Sequence, residues 1–129
     1  MLELSRFLSF LNQLKIYHWQ TFSYAEHKAF GKAYEDLDEL FDQFIEVYYG
    51  KYGKNEASTD YYAVAESYVG GPDLSGNAGK PKKNIGNKKR ELLAYLRKDL
   101  LTESDSDLLN IVDEIEASIN RLQYLLDLS

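Results

Sequence analysis

Two long stripes of apolar residues at helical spacing, parted by only a few residues of turn, constrain this chain more than any other feature. From about residue 2 to 22, Leu4, Phe7, Leu8, Leu11, Leu14 and His18 fall on one face of a helix. Ser23-Tyr24-Ala25-Glu26 follows at once and has the form of a capping box. In that motif the serine oxygen accepts the amide three residues on, and the glutamate reaches back. A second stripe then runs from 24 to about 49 through His27, Phe30, Tyr34, Leu37, Phe41, Phe44, Ile45 and Tyr48, with Gly50 and Gly53 to stop it. So short a connection makes the two helices an antiparallel hairpin.

Two further helices are expected at about 87–101, on Leu92, Leu93, Leu96 and Leu100, and at 105–127. The latter carries Leu108, Ile111, Val112, Ile115, Ile119, Leu122, Leu125 and Leu126. Between the hairpin and these helices lies a connection, 50–86, rich in glycine, lysine and tyrosine, with a short helix expected near Asp60–Glu66. A connection of that length inside one domain is usually functional or mobile. The chain of 129 residues has room for one core. The fold class is therefore all-α: one domain over 1–129, an antiparallel four-helix bundle whose long second-to-third connection is the ferritin-like pattern.

Composition removes several functions. A formal charge of −6 argues against sequence-independent DNA binding, which needs lysine and arginine to neutralise phosphates. With no cysteine there are no disulfides, thiolate metal sites or cysteine nucleophiles. The opening residues have neither a basic segment followed by a continuous apolar run nor the length of apolar chain that crosses a bilayer. A cytoplasmic protein without membrane partners is expected. The 11 tyrosines and 6 phenylalanines exceed what a core of this size needs and point to interfaces as well.

The histidines are His18 and His27, both on the buried stripes. The second helix also carries the acids Glu35, Asp38, Glu39, Asp42 and Glu46. His27 and Asp42 are separated by about 22 Å along a helix axis at ~1.5 Å per residue. They cannot ligate one ion within a single copy. The hairpin places both histidines at one end and the Asp42/Glu46 pair at the other. Antiparallel pairing of two subunits would bring histidines and carboxylates together, so a metal site is expected between chains. The competing expectation is two imidazoles hydrogen-bonded within the hairpin turn and packed by Trp19 and Tyr24.

His18-Trp19, then His27, then Asp42-x-x-x-Glu46 resembles the Dps-type mini-ferritins. It is also similar to the small ferritin-like proteins encoded by tailed phages. The mini-ferritin resemblance, carried mainly by residues 10–50, implies a homo-oligomer with a two-fold dimer unit. It also implies a ferroxidase-like site with His18 and His27 from one subunit and Asp42 and Glu46 from its mate. Imidazole and carboxylate ligands suit Fe, Mn or Zn. The hairpin loop is shorter than in that family, Gly31 stands where the family has an aspartate, and the basic DNA-binding tail is missing. The phage resemblance implies a location in the host cytoplasm.

A second functional class rests on the other half of the chain. Lys80, Lys82, Lys83, Lys88, Lys89 and Arg90 cluster among glycines and asparagines, with Tyr61, Tyr62 and Tyr68 before them. Lysines and backbone amides at a helix start bind anions, and tyrosines stack on bases. On this reading a non-enzymatic binding protein sequesters a small phosphorylated nucleotide signal of the host, or blocks a host protein. The bland counterpart is a solvated lysine loop. Glu103-x-Asp105-x-Asp107 superficially suggests calcium but is read as helix capping.

Overall fold

Thr21 closes the first helix and Ser23 starts the second, as their hydroxyl chemistry allows. In the computed structural model, which describes residues 2–54 and 81–128, α1 spans Leu4–Gln20 and α2 spans Tyr24–Tyr52. The Ser23 hydroxyl accepts the Glu26 amide at 3.2 Å. A threonine completes the cap: the Thr21 hydroxyl donates to the Glu26 carboxylate at 2.7 Å and accepts the Ser23 amide at 3.1 Å.

The second helix outruns its expected end at Tyr49. Gly50 lies inside it, a position that costs about 1 kcal/mol relative to alanine. The extra turn is held from outside, because Lys51 and Tyr52 both bond Asp105 at the start of the last helix. Gly53 is the true stop. Its φ of +79° suits glycine, and its N–H bonds the Tyr49 carbonyl at 2.8 Å.

The third helix corrects the sequence reading more substantially. Helix α3 is described over Pro81–Ala94 and continues as a π-helical turn over Tyr95–Leu100. The residues expected as the end of a loop, 81–86, are thus helical. Local propensity is weak there, and packing supplies what it lacks. Ile85 is fully buried, and the buried Asn84 amide donates to the Tyr17 hydroxyl at the far end of α1. At the other end the Leu101 N–H reaches back five residues to the Leu96 carbonyl, at 3.1 Å. The last helix, α4, spans Ser106–Asp127. The short helix expected near 60–66, with the rest of 55–80, lies outside the described residues.

All the described elements are helical, with four helices in one bundle. Contacts advance along one helix as they recede along its neighbour. Phe7 meets Phe44, Phe10 meets Phe41, and Tyr17 meets Phe30 between α1 and α2. Tyr95 meets Glu3 and Asn84 meets Tyr17 between the third helix and α1. Lys51 meets Asp107 and Arg121 meets Asp36 between α2 and α4. The core draws on every helix, from Phe7, Leu14, Phe30, Leu37 and Phe44 to Leu96, Ile115 and Ile119. Each such side chain contributes about 1.5–3 kcal/mol by leaving water. No helix of the described residues is long and apolar enough to cross a membrane.

Candidate metal-binding site

The α1–α2 turn brings the two histidines face to face. Their rings stack with centroids 3.9 Å apart and planes 16° from parallel. Each Nδ1 lies 2.7 Å from the backbone carbonyl of the other histidine. A carbonyl only accepts, so Nδ1 carries a proton in both rings. In an imidazole so bonded it is Nε2 that is left for a ligand, the arrangement in which imidazole binds a metal.

Gly31 makes this stack fit. A Cβ added there would lie 2.9 Å from Cε1 and 3.1 Å from Nδ1 of His18. The ring of His18 therefore occupies the space beside a backbone that any larger residue would fill. The expected packing is only half present. Tyr24 lies over His27 at 6.4 Å, whereas Trp19 is 65% exposed.

Asp42 and Glu46 are exposed on α2, far from the histidines along the same helix. Neither has an ion-pair partner among the described residues. Among those residues no group of three or more histidines and carboxylates could hold a metal within one chain. The four residues expected as ligands are thus split into two pairs, toward opposite ends of the hairpin.

The start of the lysine cluster is placed differently from expectation. Lys82 and Lys83 ride on α3 and not in a loop, with Lys88, Lys89 and Arg90 farther along the same helix as expected. Lys82 pairs with Asp127, while Lys89 donates to Asn120 and Gln123 of α4. Arg90 donates to Asn87. Lys82 and Lys89 thus knit α3 to α4, and the loop premise of the anion site fails for Lys82 and Lys83. Lys80, Tyr61, Tyr62 and Tyr68 lie outside the described residues.

Asp105 is a site feature that spacing alone could not reveal. Its carboxylate is 1% exposed and takes Lys51 at 2.8 Å, the Tyr52 hydroxyl and the Thr102 amide at 2.8 Å. The Lys51 ammonium, then Tyr52 and the Thr102 N–H, hold it well below the usual carboxylate range. It clasps the end of α2 to the loop before α4, which is a structural role and not calcium binding. A groove of about 440 Å³ between α2 and α4 holds Asp36, Glu39 and Glu114, but Lys32 and Arg121 pair with Asp36 there.

No curated protein and no solved structure matches the chain. Residues 18–126, from His18 through nearly all of α4, match a family of unknown function, DUF5856, and the chain belongs to that family.

Proposed function

We propose that this protein is a ferritin-like bundle that binds divalent metal, Fe²⁺, Mn²⁺ or Zn²⁺, between two subunits. His18 and His27 of one copy act with Asp42 and Glu46 of the other. The observation that carries this reading is the paired Nδ1–carbonyl bonding, which leaves the Nε2 of each stacked ring for a ligand. Two imidazoles locked in the same tautomer are a preorganised half-site, lacking only anionic ligands.

Two further features support it. The inter-helix contacts are those expected of an up-down-down-up path with a single connection leading from the end of α2 to the start of α3, a pattern that favours a ferritin-like bundle. Asp42 and Glu46 are exposed, so they are accessible to a second copy.

The stack adds a condition on stoichiometry. A metal lies in the plane of its imidazole, about 2.0–2.1 Å from the nitrogen. An ion in the plane of one ring is displaced from the near-parallel plane of the other, so one ion cannot serve both. Each histidine would therefore hold its own ion, with Asp42 and Glu46 of the partner subunit supplying the anionic ligands; where the ion is Fe²⁺, dissolved O₂ would be the oxidant that takes its electron.

The test is metal titration of the purified, metal-free protein with Zn²⁺, Mn²⁺ and anaerobic Fe²⁺, alongside light scattering. About two ions per chain, an even-numbered assembly and loss of binding in His27→Ala and Glu46→Ala are expected. Absence of binding, or unchanged binding in both variants, would overturn the proposal.

A further inference from the structure

The exposed apolar surface of this chain is concentrated at one end of the bundle. The α1–α2 turn carries Trp19 at 65%, Phe22 at 106% and Tyr24 at 74% exposure. Soluble turns are ordinarily polar, and three large aromatic side chains within six residues of a tight turn need a reason. The Lys82–Asp127 ion pair sets the start of α3 beside the end of α4, and the Asn84–Tyr17 bond sets it beside the end of α1. Leu128, 66% exposed after α4, therefore lies at this same end.

Charge at that end runs against the rest of the molecule. The chain has a formal charge of −6. Yet Lys28, Lys82 and Lys83 are all exposed around the aromatic turn, against two acids there, the half-buried Glu26 and Asp127, which pairs with Lys82. Lys28 lies 5.7 Å from the Tyr24 ring, so cation and aromatic share one surface. A projecting apolar apex, amphipathic rings behind it and lysines around it match the interface between water and an anionic lipid layer. Tryptophan and tyrosine favour the headgroup level there, and lysine favours anionic headgroups.

We propose that this aromatic end of the bundle is a docking surface for anionic phospholipid. Phe22 and Leu128 enter the acyl boundary, Trp19 and Tyr24 sit at headgroup level, and Lys28 and Lys83 meet phosphate. The protein lies on the surface without spanning it, which revises the expectation of no membrane contact. Single-stranded nucleic acid is the lesser match. Its binding needs a basic groove that tracks the backbone, whereas this end is a convex turn and the α2–α4 groove contains three carboxylates.

Trp19 is the sole tryptophan and lies inside the patch, so it reports directly. The full chain is mixed with vesicles of phosphatidylcholine containing about a third phosphatidylserine, and with vesicles of phosphatidylcholine alone. Trp19 emission should shift to the blue and be quenched by brominated lipid, with co-sedimentation favouring the anionic vesicles. The double variant Phe22→Ser/Leu128→Ser should bind about tenfold more weakly or worse. Lys28→Glu/Lys83→Glu should remove the preference for anionic lipid. Both changes fall on exposed positions, and circular dichroism checks that each variant keeps its helices. Vesicle binding should be the same with and without EDTA, which separates this surface from the metal proposal. An unshifted Trp19 emission, equal binding by the Phe22/Leu128 variant, or stronger binding to single-stranded oligonucleotide than to vesicles would each overturn the proposal.

Discussion

His18 and His27 lie ring on ring 3.9 Å apart, and each donates its Nδ1 proton to the other's backbone carbonyl. This reciprocal pair ties the last turn of α1 to the first turn of α2. It sets both tautomers without a carboxylate and leaves both Nε2 atoms for a ligand. The pair is thus a hairpin clasp, on the proposed reading a ligand set as well, and Gly31 beneath it is the condition for the stack.

Gly31→Ala tests that condition. Alanine in a helix interior ordinarily stabilises by about 0.5–1 kcal/mol over glycine. Here the new Cβ would meet His18 at 2.9 Å, and His18 is held by its stack and hydrogen bond. The expected result is a loss of about 1–3 kcal/mol in urea denaturation. In a His18→Ala background the same change should become stabilising, a sign reversal that a double-mutant cycle reads directly.

The Asp105 clasp should appear as an acid limb in stability. Its carboxylate is depressed in the fold by Lys51, Tyr52 and the Thr102 amide. The stabilisation is complete above the unfolded aspartate value of about 3.9 and is lost as pH falls through the lower folded value. Asp105→Asn should lower the urea midpoint at pH 7 and flatten the decline below about pH 4. Denaturation curves across pH for the two proteins check this.

Tyr95 should give the corresponding alkaline limb. Its hydroxyl accepts the Glu3 N–H at 2.9 Å, and Arg6 lies 4.3 Å from its ring centre. Burial pushes the phenol up to about 12. The neutral form is therefore favoured by folding, and its contribution is full below about pH 10 and lost as pH rises towards 12. Tyr95→Phe should remove that dependence and cost about 1 kcal/mol at neutral pH, through the Glu3 amide left without its acceptor. Ultraviolet titration of the phenols and urea curves would show both.

Phe41→Ala should be among the most damaging single changes. Phe41 is 1% exposed and meets Phe7 edge-on at 5.2 Å and Phe10 at 6.1 Å. A loss of about 3–5 kcal/mol is expected from the cavity and the lost ring contacts, measured by chemical denaturation.

The hairpin was legible because its signals are local. The Ser23 cap, the apolar stripes and the short turn all act within a few residues, and the turn placed His18 beside His27. The features that escaped sequence reading depend on residues far apart in the chain. Helix continues through Gly50 because Asp105, more than fifty residues on, holds Lys51 and Tyr52. Residues 81–86 are helical because Ile85 and Asn84 dock on other helices, although their local composition reads as loop. The π-helical turn at Tyr95–Leu100 escaped as well, because Leu92, Leu93, Leu96 and Leu100 mark a helix there without distinguishing its hydrogen-bond spacing. At the site, spacing indicated that the two pairs of expected ligands lie apart, but not that the rings stack over Gly31.

Subunit complementation tests the intersubunit metal site most directly. One chain carries His18→Ala/His27→Ala, the other Asp42→Asn/Glu46→Gln, and each alone should fail to bind Zn²⁺ or to oxidise Fe²⁺. Co-assembled at equal amounts, half of the two-fold dimers contain one chain of each kind and one intact site. Metal binding should then return to about a quarter of the parent level. A mixture that stays inert while the parent protein binds metal, or full binding by either variant alone, would contradict the account.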